Sequence, residues 1–170
     1  QLSVLENVRL VVQARRGFGY SLLSLWASHR DAIAEAETCL ERVSLQHRRD
    51  ATAASLPHGD QRKLEVALMI ALNPDVFLFD EPTAGMSIDE VPVILDLIRE
   101  IKTDSSKTVL LVEHKMDVVR SLADRIIVLH NGTLLADGDP ATVMESPVVH
   151  EAYLGMSAKE AAAIEQVAHD

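Results

Sequence analysis

Two short apolar runs, Val76-Phe77-Leu78-Phe79 and Thr108-Val109-Leu110-Leu111-Val112, flank a segment of helical periodicity, and no other feature restricts the fold so tightly. Neither run alternates apolar with polar residues, which is the pattern of strands buried on both faces of a parallel sheet. Between them Val91, Ile94, Leu95, Ile98 and Ile101 recur at helical spacing and give one apolar side. Strand, crossover helix and strand make a βαβ unit, so the fold class is α/β with a parallel pair at its centre. At 170 residues, 48% apolar and 25% charged, the chain can bury a core, and disorder does not describe most of it.

Upstream of this unit the chain reads as mostly helical through residue 72. Ser3-x-x-Glu6 has capping-box spacing and predicts a helix from Val4, with Leu5, Val8 and Val12 on one face and an end near Gly17 and Gly19. Asp31 is placed to cap a second helix carrying Ile33, Ala36, Leu40 and Val43, and a third is expected over Gln61 to Leu72, stopping before Asn73-Pro74. Downstream, a short helix over roughly Met116 to Leu122 leads to Arg125-Ile126-Ile127-Val128-Leu129. Asn131-Gly132 then offers a type I′ hairpin turn into Thr133-Leu134-Leu135. Asp139-Pro140 is a cap with proline at the first helical position, and Ser157-x-x-Glu160 starts a final Ala-rich helix. There is no internal repeat.

Several classes of function are disfavoured by simple features. The longest apolar run, Val66 to Leu72, is far shorter than the roughly 20 residues of a membrane-spanning helix, so membrane association is expected only through a partner. Residues 1–6 have no basic leader followed by an apolar stretch, and the missing initial Met suggests truncation. Cys39 has no second cysteine to pair with and sits on an apolar helical side, which predicts a buried, inert thiol in a reducing cytosol. The formal charge is −10 and the basic pairs Arg15-Arg16, Arg48-Arg49 and Arg62-Lys63 are scattered, whereas binding a phosphate backbone needs clustered positive charge; no nucleic-acid partner is expected.

The chemistry-bearing residues lie where the strands end. The first run delivers two adjacent acids, Asp80 and Glu81, to its C-terminal edge, the edge where open α/β sheets bind ligands. Such a pair suits metal-dependent phosphoryl transfer, one acid holding Mg²⁺ and the other orienting or deprotonating the attacking water. A plainer reading is that the two acids merely end a strand ahead of a turn at Pro82. The second run ends at Glu113-His114, and a lone histidine there is more often structural. The segment Leu56-Pro57-His58-Gly59-Asp60-Gln61 precedes a helix, where free amides favour anions.

Taken together and in order, these pieces resemble the ABC transporter ATPase family. Val76 to Glu81 looks like its Walker B strand, Leu56 to Arg62 like its LSGGQ signature loop and His114 like its switch histidine. The stretch from Ala123-Asp124-Arg125 through Asn131-Gly132 to Ala136-Asp137-Gly138 is similar to the ladder that follows. Leu2 to Val8, Glu81-Pro82-Thr83-Ala84-Gly85-Met86, Val112 to Met116 and Glu151 to Gly155 are closest to subunits of the branched-chain amino acid and urea uptake group. The resemblance implies the C-terminal part of a P-loop NTPase (RecA-like) ABC ATPase domain with a partial, mostly parallel sheet. The implied parts are an α-helical subdomain and signature loop over 1–72, a RecA-like C-terminal half over 73–155 and a helical tail over 156–170.

By that resemblance Asp80 would hold Mg²⁺ through water, Glu81 would be the catalytic base and His114 would contact the γ-phosphate and hold the attacking water. The signature loop, Leu56 to Gln61, would close on ATP held by a second ATPase subunit, identical or different, with backbone amides at His58 and Gly59 facing phosphate. Three departures stand out: Pro57 replaces the signature serine, Asp60 the usual glutamine, and Ser87 the aspartate of the loop between subunits. The phosphate-binding motif G-x-x-x-x-G-K-[ST] does not occur in these residues, since no glycine is followed by lysine. The implied function is an ATP-hydrolysing importer subunit, cytoplasmic and peripheral on the membrane through permease subunits, served indirectly by a solute-binding protein; this chain alone is expected to be inactive. The rival readings are a catalytically silent interaction module and a non-transport ABC ATPase acting on nucleic acid or translation, the latter disfavoured by the acidic balance.

Overall fold

The computed structural model describes residues 2–17 and 30–154, which form two compact units divided between His114 and Lys115. The expected end of the first helix at Gly19, the residue at 155 and the Ala-rich helix from Ser157 lie outside the described residues. In the first unit α1 spans Val4–Arg15, α2 Arg30–Arg42 and α3 His58–Leu72, followed by β1 at Val76–Asp80, α4 at Val91–Thr103 and β2 at Thr108–Val112.

Ser3 caps α1 as its spacing predicts, its Oγ accepting from the Glu6 amide at 3.2 Å. The amides of Val4 and Leu5 donate to Ala51 O and Arg49 O, both at 2.9 Å, so the start of α1 is tied to the segment that leads into α3. Arg30 already belongs to α2, which places Asp31 inside the first turn rather than ahead of it. The third helix begins at His58, earlier than the expected Gln61. Pro57, at φ −57° and ψ 157°, makes the entry, and its carbonyl accepts from the Gln61 amide at 2.9 Å. No side chain caps this end, which is why a search for Ser, Thr, Asp or Asn misses it. Asn73 closes the helix in the left-handed region at φ 51°. The apolar sides of α1, α2 and α3 pack on one another, burying Val4, Val8, Val12, Ala36, Leu40, Ala67 and Ala71. Cys39 is buried among them, and burial pushes its thiol pKa up, as an inert thiol requires.

β1 and β2 pair in parallel, in register from Val76 with Thr108 to Asp80 with Val112. The crossover helix α4 packs against β2 and buries Ile94, Leu97, Ile98 and Ile101. One expectation fails: β1 is not buried on both faces. Phe77 and Phe79 are each 3% exposed, but Val76 and Leu78 are 61% and 59% exposed. Leu110 and Val112 are exposed on β2 in the same alternation, so the pair presents an open apolar face among the described residues. A continuous apolar run records what both faces of a strand could touch, and among the described residues only one face is covered.

In the second unit α5 at Met116–Leu122 precedes the antiparallel pair β3 at Ile126–His130 and β4 at Thr133–Gly138, with α6 at Pro140–Met144 and α7 at Pro147–Leu154 after it. Asn131 and Gly132 join the strands at φ 48° and 76°, the two positive values a type I′ turn needs. Asp139 caps α6 by accepting from the Thr142 amide at 3.0 Å, with Pro140 at its start. Ile126, Val128, Val143 and Val149 make this unit's core, with Met116, Val119 and Leu135 packed on them. Arg125 clamps Asp137 through Nε and Nη2, each at 2.7 Å, which holds the Asp137 carboxyl below its usual range. No helix of the described residues is long and apolar enough to cross a membrane.

Candidate functional site

Parallel register sets the C-terminal ends of β1 and β2 side by side, so the residues that follow the two strands share one edge of the sheet. Asp80 is the last residue of β1, exposed, and its Cα lies opposite Val112. Glu81 then turns sharply, with φ at +45°, a region that costs a side-chain-bearing residue roughly 1–2 kcal/mol. Two backbone bonds hold it there: its amide donates to Val112 O at 2.9 Å and its carbonyl accepts from the Ala84 amide at 3.0 Å. With the backbone so turned, Glu81 Oε1 lies 3.3 Å from His114 Nδ1. Both side chains are open to solvent, at 49% and 63% exposure, as a group that must meet a ligand has to be.

Behind this pair stands a carboxylate that is not exposed at all. The Glu113 side chain is 1% accessible; its Oε1 accepts from Thr83 Oγ1 and its Oε2 from the His114 amide, each at 3.1 Å. Thr83 is buried as well. A buried carboxylate is tolerated only when donors surround it, and here the donors come from the turn after β1 and the turn after β2. Glu113 thereby joins the two turns that carry Glu81 and His114.

The predicted signature residues form a second group. Leu56 is buried, and its carbonyl accepts from Gln61 Nε2 at 2.9 Å. Pro57 and His58 are exposed at the start of α3. Asp60 turns inward, with Oδ2 3.4 Å from Arg48 Nε and Oδ1 3.5 Å from Lys63 Nζ. Its charge is matched by two cations. His58 rests on Gly85: at φ +72° a Cβ on that glycine would come within 2.5 Å of His58 Cδ2, so the ring keeps this position only over a glycine. Ser87 sits in the same loop, its amide and Oγ donating to Glu90 Oε2 at 3.2 and 2.9 Å. Lys63 Nζ completes the set by donating to Glu90 Oε1 at 2.5 Å.

The structure brings Glu81 and His114, both singled out in the sequence, to 3.3 Å of each other, and Ser87 bonds Glu90 in the loop that His58 covers. Sequence reasoning assigned no role to Glu113, Thr83, Lys63 or Glu90. Only Glu113 left a trace, as an acid adjoining the histidine; Lys63 and Glu90 are 27 positions apart and nothing local links them.

The chain is similar to known proteins in sequence and in fold. The ABC transporter family matches residues 1–84. The high-affinity branched-chain amino acid transport ATP-binding protein LivG of Escherichia coli is 36% identical over 160 residues, covering 91% of this chain and 63% of LivG. BraF of Pseudomonas aeruginosa, described in the same words, is 38% identical over 75% of this chain and half of its own length. The chain therefore spans less than two thirds of these relatives. Among solved structures, the ADP conformation of an ATP-binding cassette of an ABC transporter superposes with a TM-score of 0.67 at 26% identity, over 92% of this chain and 64% of that one. A post-hydrolysis dimer of another cassette, bound to ADP and phosphate, gives 0.68 at 26% identity over 82% of this chain and 57% of its own. The helices with their small parallel sheet are part of the P-loop NTPase fold of those cassettes, and this chain belongs to the ABC transporter family.

Proposed function

We propose that this chain is the C-terminal part of the ATP-hydrolysing subunit of an ABC importer for branched-chain amino acids or a related small polar solute. The observation that carries the reading is the 3.3 Å approach of Glu81 to His114 at the shared edge of two parallel strands. In it, Glu81 accepts the proton of an attacking water, while His114 steadies the carboxylate through Nδ1 and offers its other ring nitrogen to the γ-phosphate. Bound ATP with Mg²⁺ supplies the phosphoryl group and its charge neutralisation. The donor set fits such an ion: Mg²⁺ takes one or two carboxylates and completes its shell with phosphate oxygens and water, and Asp80 is an exposed carboxylate beside Glu81.

On this reading residues 1–72 are the helical subdomain, 73–155 the RecA-like half and 156–170 a tail. Leu56 to Gln61 and Ser87 face ATP held by a second subunit, identical or different, with the His58 and Gly59 amides at the start of α3 toward phosphate. The helical surfaces around residues 8 to 50 bear on a membrane permease, which receives solute from a binding protein and keeps this subunit at the cytoplasmic face. The decisive test is Glu81→Gln in the full-length protein. Turnover should vanish while ATP binding persists, and unchanged turnover rejects Glu81 as the base.

A catalytically silent docking module is the second reading, favoured by the open apolar face of Val76, Leu78, Leu110 and Val112, which monomeric proteins rarely leave uncovered. It predicts no ATP hydrolysis by the full-length protein in the presence of its permease.

A further inference from the structure

The two groups of site residues are joined by the loop of residues 82–90, and that loop is moored at its far end. We infer that Glu90 and Lys63 are positioning residues: they clamp the loop that follows Glu81 onto the first turns of α3, so that the signature end of the helix and the catalytic turn move as one piece. The inference rests on the ATPase reading above and concerns residues to which that reading gives no part.

The clamp has four strands of contact. Lys63 Nζ, its side chain 8% exposed, reaches Glu90 Oε1 at 2.5 Å and Asp60 Oδ1 at 3.5 Å. Glu90 Oε2 accepts from both the amide and the hydroxyl of Ser87. Gly59 lies against the same carboxylate, because a Cβ there would meet Glu90 Oε2 at 2.8 Å. Near the loop's centre the His58 ring covers Gly85. A buried ammonium with two acids around it leaves little slack, since withdrawing either partner strands a desolvated charge. At the near end Ala84 bonds the Glu81 carbonyl and Thr83 bonds Glu113, so the loop is held from the base to the signature helix. Closing of α3 on a nucleotide would then be felt at the Glu81 turn through this loop, without any contact between Glu90 and the reacting atoms.

The test uses the full-length subunit in its assembled transporter, with kcat and KM for ATP measured separately. Glu90→Ala and Lys63→Met should lower kcat about tenfold while KM stays within about threefold, because orientation is lost and nucleotide contact is not. Lys63→Arg, which can still donate to Glu90, should return kcat to within about twofold of the parent. Parent-like kcat in both Glu90→Ala and Lys63→Met overturns the clamp, as does a Lys63→Arg variant that falls as far as Lys63→Met. Glu81→Gln run alongside separates the two ideas: if it turns over normally the ATPase site is misread, whereas if it is dead and Glu90→Ala is normal only the clamp fails. Should Glu90→Ala not fold, hydrogen exchange of residues 83–89 in the unaltered protein decides. Protection comparable to the first turns of α3 supports the clamp, and exchange at exposed-loop rates overturns it.

Discussion

His114 Nδ1 stands 3.3 Å from Glu81 Oε1, and the two residues belong to different strand ends 33 positions apart in the chain. Their meeting follows from the parallel register and from the left-handed turn at Glu81, which spares the carboxylate from continuing along the strand. If His114 steadies that carboxylate and reaches the phosphate, its loss should hurt chemistry more than binding. His114→Ala in the full-length protein is expected to lower kcat by about a hundredfold or more with little change in ATP affinity, as for a group that orients the base in proton transfer. Single-turnover kinetics beside equilibrium nucleotide binding checks this, and a variant that loses affinity but keeps kcat contradicts it.

Glu113 is expected to matter for stability and position together. Replacing it by Ala removes the acceptor of the buried Thr83 hydroxyl and of the His114 amide, and a buried donor left unmet costs about 1–3 kcal/mol. Urea unfolding should show a loss of that order in Glu113→Ala. Glu113→Gln keeps an acceptor oxygen for one of the two donors and should lose less. Equal stability in all three proteins would mean the carboxylate holds nothing.

The strand edge that carries the candidate site was legible in the sequence because its signals are local: an apolar run ending in Asp80-Glu81, a second ending in Glu113-His114, and an amphipathic segment between. Local signals also gave the Ser3 cap, the Asn131-Gly132 turn and Asp139-Pro140. What could not be read was anything that depends on pairing across the chain. Lys63 and Glu90 look like ordinary surface charges in sequence, and only the packing of α3 beside the loop makes them partners. The start of α3 was missed because proline, without a capping side chain, makes the entry. The exposed face of β1 was unreadable for a related reason: apolar residues record what a strand is suited to touch, whatever layer lies on it.

Gly85→Ala should disturb the signature segment more than its own loop. The residue sits at φ +72°, where a side chain costs roughly 1 kcal/mol, and its Cβ would collide with the His58 ring. His58 is exposed and can swing away, so the fold should survive with a modest loss, near 1 kcal/mol. The larger effect expected is on the start of α3, visible as changed amide chemical shifts at residues 57–60. Unshifted amides there would show that the ring does not depend on this glycine.

Acid should loosen the loop before it unfolds the chain. The Glu90 carboxyl is lowered from 4.5 to about 2, chiefly by the hydrogen bond from Lys63 and then by those from Ser87. A depressed folded value means that this carboxylate contributes stability in full above pH 4.5 and loses it as pH falls from there toward 2. Urea midpoints measured through that window should fall less steeply in Glu90→Gln than in the parent. Identical slopes would show that other acids carry the whole effect.

The 170-residue chain by itself is expected to hold nucleotide weakly. Its site residues supply a base, a histidine and one exposed carboxylate for a cation, but the affinity of a triphosphate comes mainly from amides and a lysine wrapped around the β- and γ-phosphates. Those belong to G-x-x-x-x-G-K-[ST], which these residues do not contain. The start of α3 offers free amides to an anion from one side only, and a single helix end is worth far less than an enclosing loop. Calorimetric titration of the chain with ATP and Mg²⁺ should therefore give no dissociation constant below the high micromolar range, and no phosphate release. The open apolar face on β1 and β2 should instead show itself as self-association, rising with concentration and suppressed by Leu78→Lys with Leu110→Glu, whose charges meet across the pair. A low-micromolar ATP affinity would mean that a grip on the phosphates exists in this chain that its sequence motifs do not reveal.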